Sequence, residues 1–214
     1  TLCSFIQASF AVSPLASRQV LCGGLKMNTI AHLVVASAVL SRPAEPNRNK
    51  AVLAGALVPD VSMFVFFAWS RIQGWSGAET WNVHYWTDPW QTLGALSNSF
   101  ILFGIMLIIG LWRRSTVLLA VSWAALLHLA LDFPLHADAA HRHFWPLTDW
   151  RFFSPVSYWD PDYNGLWGSA LETAIALGAL AVLWFRFQRP TWRIAFVALA
   201  ALQLAAFSLL TLFG

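Results

Sequence analysis

The sequence TVLLAVSWAALLHLALDFPLHADAAHRH, at residues 116–143, decides how the chain is built. Its apolar first half predicts a membrane helix, and Pro134 predicts where that helix ends, because proline disfavours the helical conformation of the preceding residue. Residues 128–143 hold four of the six histidines and two of the ten acids of the chain. His128 and Asp132 are four positions apart, so a helix presents them on one face, about 6 Å apart, where both can bind one cation.

The composition of the whole chain predicts a membrane protein. Of its 214 residues, 58% are hydrophobic and only 11% are charged, which is far more apolar than a soluble domain. Thirteen tryptophans suit the membrane–water interface. The net charge is +3, but the basic residues are scattered through short turns, so we predict no nucleic-acid partner. We expect an all-α, polytopic membrane helix bundle whose surroundings are the lipid bilayer.

Six apolar segments follow one another along the chain. They cover approximately residues 28–41, 50–70, 93–112, 116–133, 167–187 and 193–213. A membrane span needs about 20 residues, so we expect the first segment to be a short, partial helix and the others to cross the membrane. Residues 27–214 are therefore predicted to form one membrane-embedded helical domain.

Residues 1–26 have a different character. They contain both cysteines of the chain, Cys3 and Cys22, and show no sustained hydrophobic period. Because Met27 has the character of an initiating residue, our hypothesis is that translation begins there and that residues 1–26 are an extension that is not native. A disulfide between the two cysteines would then contribute nothing to the body of the fold.

Basic residues in three of the connections predict how the chain is oriented. These residues are Arg42, Arg48, Lys50, Arg113, Arg114, Arg186, Arg189 and Arg193, and the only acid among them is Glu45. Connections rich in lysine and arginine usually face the cytoplasm. We therefore predict a multi-pass protein of the bacterial inner membrane, in which residues 71–92 and 134–166 face the periplasm or the exterior.

Ionisable residues inside the apolar segments are candidates for a functional site, because they are costly in a membrane and usually functional. They are His32, Asp60, His128, Asp132 and Glu172, and the polar pair Asn98-Ser99 accompanies them. Pro59, directly before Asp60, can break its helix and free backbone groups. On the predicted orientation, independent segments bring these polar residues to one membrane face, which predicts a site at the outer side.

The order of these residues resembles that of a known family. His32, Pro59-Asp60, a polar-Ser pair at 98–99 and His128-x-x-x-Asp132 are similar to the membrane-bound metal-dependent hydrolases, inner-membrane proteins that include a LexA-regulated member. A fainter likeness reaches the zinc-dependent phospholipases C. The resemblance covers nearly the whole chain from Met27 and implies a divalent-metal site with hydrolase activity. The ligands that it implies are His32, Asp60, His128, Asp132, His136 and, with less support from the motif, Glu172.

The chain departs from this family pattern at two positions. Where the family usually shows an acidic pair after the proline, this chain has Asp60 followed by Val61 and Ser62. Where the family usually shows His-Ser, this chain has Asn98-Ser99. One ligand and one acid of the pattern are therefore missing here.

The chemistry of these residue types predicts which metal is bound and what it does. Imidazoles and carboxylates suit zinc, or manganese if carboxylates dominate, and a bound cation activates a water molecule. For catalysis we predict Asp138, His141 or His143 as general base and Arg142 and Arg151 as groups that hold a phosphate. The aromatic segment 143–160 is expected to fold over the site as a lid. A site at the outer interface would suit a lipid-like substrate, such as a phospholipid or an isoprenoid phosphate.

Two alternatives compete with the hydrolase. In a proton- or cation-coupled transporter, Asp60 and His128 would bind or relay the ion, although the spans hold no ionisable residue towards the cytoplasmic turns to complete a pathway. In a non-catalytic scaffold, a metal site would only fasten the outer ends of the helices. The missing ligand and acid favour the scaffold.

Overall fold

The structure, a computed structural model, describes residues 29–137, 140–158 and 160–213. Every regular element in these ranges is helical, which confirms the predicted all-α class. The expected N-terminal extension and its start at Met27 lie outside the described residues, as does the candidate base Asp138.

The helices follow the predicted apolar segments. They are α1 Thr29–Leu40, α2 Pro46–Ile72, α3 Gly77–Asn82, α4 Asp88–Ser97, α5 Phe100–Trp112, α6 Thr116–Asp132, α7 Gly165–Arg186 and α8 Pro190–Phe213, with short 3-10 turns at His84–Trp86, Phe133–Leu135 and Pro161–Tyr163. Helix α6 ends at Asp132, two residues before Pro134, as the proline predicts.

Five helical stretches are long and apolar enough to cross a membrane. They are Pro46–Ile72, Asp88–Trp112, Thr116–Leu135, Gly165–Arg186 and Pro190–Ser208. The second stretch combines α4 and α5, which are separated by a break at residues 98–99. Helix α1 has only 12 residues, so it is the short helix that the sequence predicts. The chain is a polytopic membrane helix bundle.

Pro59 does not break α2, which differs from one expectation drawn from the sequence. The helix runs continuously from Pro46 to Ile72 with Pro59 inside it. Neighbouring backbone carbonyls nevertheless accept hydrogen bonds from other helices: His128 Nδ1 lies 2.7 Å from the Ala56 oxygen, and Asn98 Nδ2 donates to the Pro59 oxygen over 3.2 Å. Other helices thus satisfy backbone acceptors near the proline while the helix continues.

Small residues bring α1, α2 and α6 close together below the polar end of the bundle. Their buried cluster consists of Ala36, Ala51, Val52, Ala56, Ala120 and Ala124. A Cβ built on Gly55 would lie 2.3 Å from the Val121 carbonyl oxygen, so the backbones of α2 and α6 touch at this point. Small residues are common where membrane helices approach closely. This layer of small residues fixes the depth at which α2 and α6 face each other.

Arginines fasten the opposite end of the bundle, which we call the arginine end. Arg186 Nη1 donates to the carbonyl oxygens of Ala38 and Ser41 over 2.6 and 3.1 Å, and Arg48 Nε donates to the Leu40 oxygen over 3.0 Å. These bonds satisfy carbonyls that the end of α1 leaves without helical partners. The first and the last basic connections therefore lie at the same end of the bundle.

The long connection between α6 and α7 folds back over the other end, as the lid prediction requires. The Phe100 amide donates to the His143 carbonyl over 2.8 Å, and the Ser154 amide donates to the His136 carbonyl over 2.9 Å. A Cβ on Gly168 of α7 would lie 2.5 Å from the Ser157 carbonyl oxygen, so the connection also rests directly on α7.

Replacing Gly55 by alanine is expected to destabilise the bundle, because the new Cβ would meet the Val121 carbonyl at 2.3 Å. Overpacking of this kind typically costs about 1–3 kcal/mol. Gly104→Ala in α5 is the matched control, since a Cβ there meets nothing within 4 Å among the described residues. Thermal unfolding in detergent should show a lower midpoint for Gly55→Ala and no loss for Gly104→Ala. Equal midpoints would contradict the close contact.

Candidate metal centre

Two helices bring three potential ligands together at the end of the bundle that the lid covers. His32 of α1 and His128 of α6 flank Asp132: His32 Nε2 lies 3.0 Å from Asp132 Oδ1, and His128 Nε2 lies 3.2 Å from Asp132 Oδ2. The two imidazole rings stack with centroids 3.7 Å apart. Their ligand atoms all lie within 4.8 Å of one another, so the three residues could hold a metal ion. We call them the His-His-Asp group.

Asp60 of α2 lies beside this group. Its Oδ1 is 3.5 Å from His128 Nε2, and its Oδ2 accepts a hydrogen bond from Thr29 Oγ1 over 2.6 Å. The four side chains of His32, Asp60, His128 and Asp132 are buried, and none is more than 6% exposed. The structure therefore brings together the four residues that come from three separate apolar segments, and Asp60 stands at the edge of the compact group.

Unsatisfied polar atoms indicate that the group could hold a cation. Within the described residues, His128 Nε2 and Asp132 Oδ1 are buried and make no contact with the geometry of a hydrogen bond. His128 Nε2 lies 3.2 and 3.5 Å from oxygens of Asp132 and Asp60, and Asp132 Oδ1 lies 3.0 Å from His32 Nε2. Leaving such groups unpaired in a buried site is costly. Two imidazole nitrogens and a carboxylate are also a donor set found in catalytic zinc sites. A divalent ion between these atoms would satisfy all of them.

Backbone carbonyls orient three of the histidines. Each has Nδ1 next to a carbonyl oxygen: His128 at 2.7 Å from Ala56, His136 at 3.0 Å from Asp132 and His143 at 2.9 Å from Asn98. A carbonyl only accepts, so Nδ1 carries the hydrogen and a neutral ring keeps its lone pair on Nε2. This is how histidine ligands of metals are usually held. In the compact group, the bond to the Ala56 carbonyl directs His128 Nε2 towards Asp132.

His136, His141 and His143 form a second group of histidines at the end of the bundle that the lid covers. The ring centroids of His136 and His141 are 5.1 Å apart, and those of His141 and His143 are 5.7 Å apart. Burial lowers the pKa of His143 to about 4, and burial together with the neighbouring histidines lowers the pKa of His141 well below its usual range. Both imidazoles are therefore neutral at pH 7, the form that accepts a proton.

The two predicted phosphate-holding arginines lie to one side, against α4. Arg142 donates to Asp149 Oδ1 over 2.8 Å and to Thr92 Oγ1 over 3.4 Å. Arg151 donates to Gln91 Oε1 over 2.8 Å. Burial and the charge of the nearby Arg142 lower the pKa of Arg151. The guanidinium groups are close to each other and are not part of the His-His-Asp group.

Glu172 and Tyr158 lie at the α7 side of the site. Glu172 is half-buried on α7 and is not a member of the compact His-His-Asp group. Tyr158 is buried, and its ring lies 5.4 Å from that of His136. Burial, followed by the charges of Asp132 and Glu172, raises the pKa of Tyr158 well above its usual range. Sequence reasoning missed Tyr158, because its place depends on how the lid folds back.

The two positions that depart from the hydrolase pattern are neighbours in space. Asn98 Nδ2 donates to the Pro59 carbonyl over 3.2 Å, and Ser62 Oγ donates to the same carbonyl over 3.4 Å. Ser97 joins them, since its Oγ lies 2.7 Å from Ser62 Oγ. Both departures therefore belong to one hydrogen-bonded cluster next to Asp60.

Comparisons with protein-family models, with curated proteins and with solved structures find no match. The resemblance to the metal-dependent hydrolases therefore stays a prediction.

The protein is expected to purify with a divalent metal that depends on the His-His-Asp group. Elemental analysis in detergent should find a nearly stoichiometric ion in the wild type and its loss in His128→Ala and Asp132→Asn. His84→Ala is the matched control, because His84 stacks on Trp75 with ring centroids 3.6 Å apart, outside the group.

Thermal unfolding supplies a second measurement that does not require the metal to survive purification. A ligand at 100 times its dissociation constant stabilises the folded state by about 2.7 kcal/mol, so added zinc should raise the midpoint of the wild type and of His84→Ala. A folded wild type that neither contains a metal nor gains stability from zinc or manganese would contradict the metal centre.

Proposed function

We propose that this protein is a metal-dependent hydrolase of the bacterial inner membrane, with its centre near the outer face. The observation that carries the proposal is the buried His-His-Asp group, in which His128 Nε2 and Asp132 Oδ1 face neighbouring polar atoms without a hydrogen-bond partner among the described residues. Three protein ligands leave a coordination position for water, which distinguishes catalytic zinc sites from structural ones.

The protein's own residues would have distinct roles in this reaction. His32, His128 and Asp132 would hold the ion, which when bound lowers the pKa of a water molecule and polarises a phosphoryl or carbonyl oxygen. His141 is a neutral imidazole close to the group and is the candidate that accepts the proton of the water. Tyr158 keeps its hydroxyl proton at neutral pH, because burial and the charges of Asp132 and Glu172 raise its pKa.

The surroundings of the centre support access from one side. Towards the arginine end, the small residues Ala56, Ala120 and Ala124 of the described core close the space between α2 and α6. Each of them is no more than 5% exposed. On the other side lies the lid, whose residues are partly exposed. A transporter needs a path to both faces, so this arrangement favours an enzyme or a scaffold over a transporter.

The location of the site supports a lipid-like substrate. The centre is formed by helices that are apolar enough to span a membrane, and the lid exposes large apolar side chains such as Leu147 and Phe153. A substrate with an apolar tail and an esterified phosphate would present its polar part to the centre from the interface.

The second candidate function is a scaffold in which the metal only joins the helices. The specific observation in its favour is the cluster at Pro59, where Asn98 and Ser62 replace the ligand and the acid of the hydrolase pattern and bond to a backbone carbonyl. In a scaffold, the ion would tie α1 to α6 and contribute stability without turnover. Activity measurements separate the two functions.

Hydrolysis of amphiphilic phosphate esters by the zinc- or manganese-loaded protein is the test. His141→Gln should reduce kcat by about 10²- to 10⁴-fold, the usual contribution of a general base, with metal content unchanged. His84→Gln is the matched control and should keep the kcat and the metal content of the wild type.

A metal-loaded, folded wild type without turnover on phosphate or carboxylate esters would contradict the hydrolase. If the metal still raised its thermal stability, the scaffold would be the better description. Full activity in His141→Gln would leave the hydrolase standing and remove His141 as the base.

A further inference from the structure

A groove runs along α4, on the side of the bundle where Arg142 and Arg151 lie. It has a volume of about 410 Å³ and is lined by Asp88, Pro89, Thr92, Leu93 and Leu96. The groove belongs to a stretch that is apolar enough to cross a membrane. It is open and mostly apolar, so a lipid chain of the bilayer can enter it sideways.

Arg142 stands at the rim of this groove. Its Nη2 donates to Thr92, which lines the groove, and its side chain is only 13% exposed. Its Nε is buried and has no hydrogen-bond partner among the described residues. A buried guanidinium N–H without an acceptor is costly, and a phosphate oxygen is the acceptor that an arginine fork fits best.

Arg151 supplies a second guanidinium next to the first. It is half-buried, it donates to Gln91, the residue before Thr92, and it lies over the Trp86 ring at 5.9 Å. Two arginines held side by side repel each other unless an anion lies between them. Residues 91–92 of α4 thus position both cations at the rim of the groove.

Asp149 is the anion that now pairs with Arg142, at 2.8 Å. The carboxylate belongs to the lid, and its side chain is 76% exposed. Ion pairs with such exposed partners contribute little to stability. A ligand phosphate could therefore replace Asp149 at small cost, and Asp149 would compete with the ligand.

We propose that this groove binds an anionic phospholipid of the surrounding bilayer, with its phosphate at Arg142 and Arg151 and one acyl chain along Leu93 and Leu96. The position of the arginines at the rim of an apolar, laterally open groove favours a lipid headgroup over free phosphate. The arginines are separate from the His-His-Asp group, so this binding does not depend on the metal-dependent reaction proposed above.

Native mass spectrometry of the detergent-purified full chain, titrated with phosphatidylglycerol, is the experiment. Arg142→Gln should weaken binding by about 10-fold or more, since a hydrogen bond to a charged group contributes about 1.5–3 kcal/mol. Asp149→Asn should strengthen it several-fold, because a competing anion is removed. Leu96→Trp should weaken binding by filling the groove. Arg71→Gln, an exposed arginine elsewhere, should leave it unchanged.

If Arg142 binds the lipid, Arg142→Gln lowers the affinity for phosphatidylglycerol and Asp149→Asn raises it. If Arg142 and Asp149 form only a structural ion pair, both variants change the affinity in the same direction. Equal binding of inorganic phosphate, or no effect of Leu96→Trp, would show a free-anion site and overturn the lipid. Equal affinity for phosphatidylcholine would overturn the preference for an anionic lipid. His128→Ala should bind the lipid like the wild type, so failure of the metal centre and failure of this proposal are distinguishable.

Discussion

Four ionisable side chains buried in an apolar bundle are the constraint on which the rest of the structure depends. Asp132 has His32 on one side and His128 on the other, and Asp60 completes the set at 3.5 Å from His128. Burial of a charge without a partner is too costly for a membrane protein, so the positions of α1, α2 and α6 must satisfy all four groups at once. The layer of small residues below the group makes this possible, because it lets the helices approach closely.

Backbone carbonyls carry much of the remaining polar organisation. Ala56 orients His128, the carbonyl of Asn98 orients His143, and the carbonyl of Asp132 orients His136. A helix interior normally offers few such acceptors, since its carbonyls bond within the helix. Pro59 and the break between α4 and α5 provide backbone acceptors where the site needs them. The irregular points of the bundle therefore lie beside the polar centre, where protein and not lipid surrounds them.

Much of the fold could be predicted from the sequence, because spans follow from length and hydrophobicity alone. The pair of His128 and Asp132 could also be predicted, since a spacing of four fixes a common helix face. The contact of His32 with Asp132 depends on how α1 packs against α6, and no local pattern contains that information. Tyr158 was missed for the same reason, because a folded-back loop places it. The continuous helix at Pro59 was not foreseen either, because tertiary hydrogen bonds decide whether a proline ends a membrane helix.

The hydrogen-bonded cluster at Pro59 affects how many metal ions the centre can bind. Asn98 and Ser62 replace a ligand and an acid of the hydrolase pattern that the chain resembles, and both now bond to the Pro59 carbonyl. Because they share one acceptor, the two departures form one local change, which leaves the donors around Asp132 intact. The compact group that remains has the donors for one ion. A metal-dependent reaction of the kind proposed above would therefore use one ion, assisted by protein side chains such as His141.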